Sequence, residues 1–101
     1  MEEKNKFPTM KYKTEIIIYT RPWCGYCSAA KELLAKKGFK YKEINVEENE
    51  NQLKIMIEQS GRKTVPQIFI KDKSIGGYSE IKNLEVSGKL DGLLNPISKP
   101  V

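Results

Sequence analysis

The sequence predicts an α/β sandwich of three layers, a four-stranded mixed sheet flanked by helices. Three observations carry that expectation. A continuous β-branched and aromatic run, Glu15-Ile-Ile-Ile-Tyr19, reads as a strand buried on both faces. An apolar repeat of helical period and then an alternating segment follow it, the βαβ order that implies a parallel pair joined by a right-handed crossover. After a second helical pattern, two short apolar segments flank the turn Lys71-Asp-Lys73 and add an antiparallel hairpin.

Each element has its own local reason. Residues 1–13 are polar and unpatterned and read as a flexible tail ahead of a single folded domain, 14–101. Thr20-Arg-Pro-Trp23 breaks the first strand. From Cys24 onward Cys27, Ala30, Leu33 and Leu34 recur at helical spacing, and Gly38 after Lys36 and Lys37 marks the helix end. Tyr41-Lys-Glu-Ile-Asn45 alternates as a second strand. Asn49 with Gln52 three residues later resembles a capping box, Leu53, Met56 and Ile57 make one helical face, and Gly61 ends it. Pro66 leads into the strand Gln67-Ile-Phe-Ile70, and Ser74-Ile75 forms a short fourth strand before a Gly76-Gly77 turn. Ser79 is the expected cap of a helix carrying Ile81 and Leu84 and stopped at Gly88. Leu90, Leu93, Leu94 and Ile97 mark a last helix that Pro96 cuts short, and Pro100 falls in the frayed end. The order is that of a thioredoxin-type sandwich.

Composition narrows the chemistry. The 101 residues include two cysteines and no histidine. That excludes Ser-His-Asp and Cys-His nucleophile pairs and every histidine-containing zinc site. Two cysteines cannot close a four-ligand structural zinc site in one chain. Eighteen Lys+Arg against 13 Asp+Glu give a net charge of +5. The block Lys36, Lys37, Lys40 and Lys42 reads as a solvated face, with Phe39 and Tyr41 in the core, rather than as a nucleic-acid platform. No stretch approaches the roughly 20 apolar residues of a membrane helix, and Met1–Lys13 has no apolar run of signal-peptide length. A cytoplasmic, reducing environment is expected. An organelle address is the less favoured reading of the tail, because transit peptides are acidic-poor and this one holds Glu2 and Glu3.

Three segments carry chemistry. Cys24-Gly-Tyr-Cys27 follows a strand and opens a helix inside a βαβ pattern, the context of a redox motif. Unpaired N–H groups at a helix start favour a thiolate at Cys24, and Arg21 adds positive charge. Cys27, one turn on, is expected to be more buried and placed to attack a sulfur held on Cys24. Two core cysteines on a helix face would not explain a cysteine at the helix start. In Thr64-Val65-Pro66 a cis bond would offer the Val65 main chain to an extended peptide, although a proline there is also an ordinary strand opener. Gly76-Gly77-Tyr78-Ser79-Glu80 would let a ligand backbone approach a helix start, and equally reads as a plain turn and cap.

Together, Tyr19-Thr20-Arg21, Cys24-Gly-Tyr-Cys27, Thr64-Val-Pro-Gln-Ile-Phe69 and Ile75-Gly-Gly-Tyr78 resemble a glutaredoxin of the small bacterial dithiol type, over about Glu15 to Leu94. The resemblance implies a glutathione-dependent disulfide oxidoreductase with Cys24 as nucleophile and Cys27 as resolving thiol. It implies that Arg21, Tyr26, Arg62, Lys63, Thr64, Val65, Pro66, Gly77, Tyr78, Ser79 and Glu80 bind glutathione, with Val65 pairing to its cysteinyl unit ahead of a cis-proline. Ser79 stands where the family often has an acidic residue, and Gly25 where the motif often has proline. Some glutaredoxins lacking that proline share a [2Fe–2S] cluster between two chains, each giving one cysteine, so the resemblance also implies a cluster-bridged dimer through Cys24 in place of a metal-free monomer. A third reading is a thioredoxin-like carrier reduced by a flavoprotein. The implied partners are glutathione and glutathionylated or disulfide-containing proteins, with neither nucleic acid nor membrane.

Overall fold

The computed structural model describes residues 16–94. The expected tail at 1–13, Glu15, Ile97 and Pro100 lie outside the described residues. The elements are β1 (Ile16–Thr20), α1 (Gly25–Lys36), β2 (Lys42–Asn45), α2 (Glu50–Ser60), β3 (Gln67–Ile70), β4 (Lys73–Gly76), α3 (Tyr78–Val86) and α4 (Lys89–Leu94). They build one mixed sheet of four strands in the order β2-β1-β3-β4.

Strand β1 is central. It runs parallel to β2, with Tyr19 opposite Ile44, and antiparallel to β3, with Ile18 opposite Ile68. Its alternation sorts the core into two clusters. Ile16 and Ile18 join Ile68, Ile70, Ala30, Leu34, Ile81 and Leu90 beneath α1 and α3. Tyr19 joins Phe69, Val46 and Met56 beneath α2. Both faces of the central strands are therefore covered, which is why their sequence reads as an unbroken apolar run. Phe39 and Tyr41 pack against the first cluster, as expected. Lys36, Lys40 and Lys42 are exposed, and Lys37 lies 3.1 Å from Asp91, tying α1 to α4.

Most boundaries match the local signals. The Asn49 side chain accepts the Gln52 N–H at 3.1 Å and caps α2. Gly61 closes that helix with a left-handed φ of 75°, its N–H donating to Ile57 O at 2.8 Å.

Three boundaries differ. Strand β2 begins at Lys42, leaving Tyr41 in the preceding connection. The hairpin turn is tighter than the expected Lys71-Asp-Lys73, and β4 takes both Lys73 and Gly76. Lys71 and Asp72 both adopt positive φ, 52° and 69°. Two left-handed residues make a two-residue connection whose twist suits antiparallel strands, so pairing resumes at once between Ile70 and Lys73. Finally, α3 begins at Tyr78, with Gly77 in the cap position that was expected at Ser79.

Ile68 is fully buried between the two strands that flank it. Ile68→Ala is expected to lower the unfolding free energy by about 2–5 kcal/mol, read from the midpoint of a urea denaturation curve.

Candidate functional site

The site is assembled at the end of β1. The strand delivers the chain into Arg21–Trp23, and Cys24 then occupies the cap position of α1 with an extended backbone, φ −115° and ψ 108°. In that position its sulfur takes the place of a capping oxygen. The Cys27 main-chain N–H donates to Cys24 Sγ at 3.1 Å. An N–H aimed at sulfur from the positive end of a helix favours negative charge there.

Cys27 is placed differently. It is only 2% exposed. Burial, and then the hydrogen bond with Cys24, push its thiol up to about 12, against an opposing main-chain hydrogen bond from Arg21 and the charge of Lys31. The two thiols are thus adjacent and unequal. One is accessible and cradled by a helix start, and the other is held neutral in the interior.

The loop before β3 forms the opposite wall. Cys24 Sγ lies 3.9 Å from the Val65 carbonyl oxygen, and the Val65–Pro66 peptide is cis. Pro66 is buried, and Val65 is half-buried. Thr64 and Lys63 are exposed, and the Thr64 hydroxyl sits 3.3 Å from Gln67 Nε2.

The glycine turn closes on the same loop. A methyl group built on Gly77 would stand 3.2 Å from the Pro66 carbonyl oxygen, so main chain meets main chain at this point. Gly76 holds φ at 121°, and a methyl group there would meet the Glu80 side chain at 2.9 Å. Glu80 fills the helix start in place of Ser79. Its Oε1 accepts the Gly77 N–H at 2.8 Å, and its Oε2 accepts Arg62 Nη2 at 3.1 Å. The Arg62 hydrogen bond and then the Gly77 N–H hold the Glu80 carboxyl below the usual range. Gly77 has no side chain to cap its own helix, and Glu80 does this three residues later. Ser79 is exposed in the first turn.

The structure therefore brings Cys24, Val65, Pro66 and Gly77 into one contiguous wall, with the Arg62–Glu80 pair beside it. Tyr26 stacks on Tyr78 with ring centroids 5.9 Å apart and planes 25° apart. Arg21 points its guanidinium to Glu47, with Nε and Oε1 3.7 Å apart, so the expected charge partner of the thiol is engaged by a carboxylate.

Three features escaped sequence reasoning. Trp23, immediately before Cys24, is fully exposed with φ 59°, and its signal was a large aromatic in a connection where nothing requires one. Gln67 is 1% exposed, and its Oε1 has no hydrogen-bond partner among the described residues. A polar residue opening the run Gln67-Ile-Phe-Ile70 was its signal. The third is a network behind α1. Thr20 Oγ1 donates to Glu43 Oε2 at 2.7 Å, and Lys31 Nζ donates to the same oxygen at 3.0 Å.

Among the described residues, no three or more His, Cys, Asp or Glu side chains gather where they could hold a metal ion. Nor is any helix among them long and apolar enough to cross a membrane.

A family model described as Glutaredoxin matches residues 16–75. Glutaredoxin 3 of Escherichia coli is 46% identical over 77 residues, covering 76% of this chain and 93% of that protein. The solution structure of a glutaredoxin from Brucella melitensis superposes with a TM-score of 0.73 at 44% identity, over 89% of this chain and 97% of that one. A buckwheat glutaredoxin in complex with glutathione superposes with a TM-score of 0.75 at 28% identity, over 86% of this chain and 82% of that one.

Two outcomes are expected. Gly76→Ala is expected to cost about 1–3 kcal/mol of stability through the left-handed backbone, measured by urea denaturation. Brief treatment of the reduced protein with iodoacetamide at pH 7 is expected to alkylate Cys24 and spare Cys27, as read by peptide mass spectrometry.

Proposed function

The chain belongs to the glutaredoxin family and is a thiol-disulfide oxidoreductase, and from that premise we propose that it works with glutathione through Cys24 and Cys27. One observation carries the reading most. Cys24 Sγ receives a helix-start N–H at 3.1 Å while facing the Val65 carbonyl at 3.9 Å. An anion-favouring position thus lies beside a main-chain edge that an extended cysteinyl peptide can pair with.

In the proposed reaction the Cys24 thiolate attacks the glutathione sulfur of a protein–glutathione disulfide. The bond to the protein sulfur breaks, and that sulfur leaves as a thiolate and takes a proton. A second glutathione thiolate then attacks the glutathione sulfur held on Cys24. Glutathione disulfide leaves and the Cys24 thiolate returns. With a protein disulfide, Cys24 forms the mixed disulfide and Cys27 attacks Cys24 Sγ, releasing the second protein thiol. The buckwheat complex supports glutathione as the co-substrate.

The binding roles are proposals of the same kind. Val65 and Pro66 orient the cysteinyl unit, and Thr64 shares their loop. Gly77, Ser79 and Glu80 take the γ-glutamyl end. Arg62 and Lys63 serve the glycyl carboxylate, and Arg21 supplies positive charge near the thiol. Tyr26 and Tyr78 form an aromatic side of the groove. Holding the tripeptide in line with Cys24 removes positional entropy from the attack. The work is that of a monomer with glutathione and glutathionylated or disulfide-containing proteins as partners. A cytoplasmic setting agrees with the need to keep both thiols reduced between turnovers.

The two cysteines of one chain are too few for a resident iron–sulfur cluster, which needs four ligands, commonly thiolates. A bridged dimer would ask only for Cys24 from each of two chains, with two glutathione thiolates completing the four, and Cys24 is the more accessible thiol of the pair. Gly25 has open space around it, with nothing within 4 Å of an added methyl group, and no strain there calls for glycine.

Cys24→Ser is expected to abolish deglutathionylation of a glutathionylated protein, and Cys27→Ser to keep most of it. Activity surviving in Cys24→Ser would overturn the assignment. Undiminished NADPH consumption with a flavoprotein reductase and no glutathione would establish the carrier reading instead.

A further inference from the structure

The network behind α1 is not accounted for by glutathione binding. Lys31 follows Cys27 by four residues on the same helix, so the two side chains share one face. The lysine is not free to leave it. Its ammonium is pinned at 3.0 Å to Glu43 on β2, and that same carboxylate oxygen is held at 2.7 Å by the Thr20 hydroxyl. Thr20 is buried at the end of β1, directly ahead of the loop that leads to Cys24. The ammonium is thus anchored from the neighbouring strands on the helix face that Lys31 shares with Cys27.

Its charge is also fixed. The Glu43 hydrogen bond, as the largest effect, pushes the Lys31 ammonium above its ordinary range, so it stays protonated wherever the enzyme works. Cys27 has the opposite need. Burial holds its thiol neutral, yet resolution requires negative charge to develop on that sulfur. The groups acting on Cys27 are Cys24, the Arg21 main chain and Lys31. Lys31 is the cationic side chain among them, and the chain has no histidine to substitute. A lysine merely decorating the helix would not need a buried threonine and a strand carboxylate to hold it.

We infer that Lys31, anchored by Glu43 and Thr20, is the electrostatic partner of Cys27, stabilising the charge that builds on its sulfur as it attacks the disulfide held on Cys24. This deepens the proposed use of the cysteine pair and rests on that reading, although its test contains no glutathione. The step balances simply. Cys27 gives its proton to solvent and its sulfur bonds to Cys24 Sγ. The outgoing sulfur leaves Cys24 with the electron pair, and the dithiol is oxidised to a disulfide by two electrons.

The test uses one equivalent of Ellman's reagent on the reduced full-length protein. Cys24 releases the first coloured thiolate on attacking the reagent, and Cys27 releases the second on closing the ring. In Lys31→Met the second release is expected to slow relative to the first by about two- to fivefold, the scale of one partly solvated charge interaction. Lys31→Arg is expected to restore most of the ratio. Equal slowing of both releases, an unchanged ratio, or an arginine variant no better than methionine would overturn the inference. Failure of glutathione dependence in the deglutathionylation assay would leave this result standing, so the two readings fail separately.

Discussion

The site depends on one constraint, that the first residue of the thiol pair is also the cap of a helix. Cys24 Sγ accepts the Cys27 N–H, the hydrogen bond a serine or aspartate oxygen ordinarily accepts. Reactivity and local structure therefore come from the same atom. The bond fixes the spacing and relative orientation of the two cysteines, because donor and acceptor belong to the two residues that must later form a disulfide. It also explains their inequality. The cap stands outside the helix and meets solvent, while the residue three positions on points into the packed layer with Ala30 and Leu34.

The rest of the fold brings neighbouring loops up to that sulfur. Central strand β1 carries Cys24 at the end of its outgoing loop, and antiparallel β3 brings in Val65 and Pro66 from the chain that precedes it. Strand β4 pairs with β3 and places Gly77 against the Pro66 carbonyl. Neighbouring strands thus give neighbouring loops, and the wall of the site is a consequence of strand order. At the Gly77 end the helix start is not vacant. The Glu80 carboxylate occupies the Gly77 N–H and also holds Arg62, so charges that the motif pattern suggests are free are paired with each other.

Much of this was legible in the chain. The element order followed from two periodicities, and the thiol pair from a motif in a strand-to-helix context. The helix stops at Gly38, Gly61 and Gly88 all fall at positive φ. What stayed hidden had two origins. One was local: Glu80 rather than Ser79 closes the start of α3, three residues after a Gly77 with an extended backbone and no side chain of its own. The other was dependence on partners elsewhere in the chain. The Lys71-Asp72 turn lacks the glycine or asparagine that signals a two-residue hairpin, and strand pairing imposed it. The buried state of Gln67 and the Thr20–Glu43–Lys31 contact exist only once β1, β2, β3 and α1 are side by side.

The contact between Cys24 and Val65 joins residues 41 positions apart. A ribosome adding about 5–20 residues per second needs some seconds to cover that distance. Throughout that interval the cysteine pair has been made and the loop that faces it has not. The site is therefore completed late in synthesis, when the chain ahead of β3 arrives against a helix start made earlier.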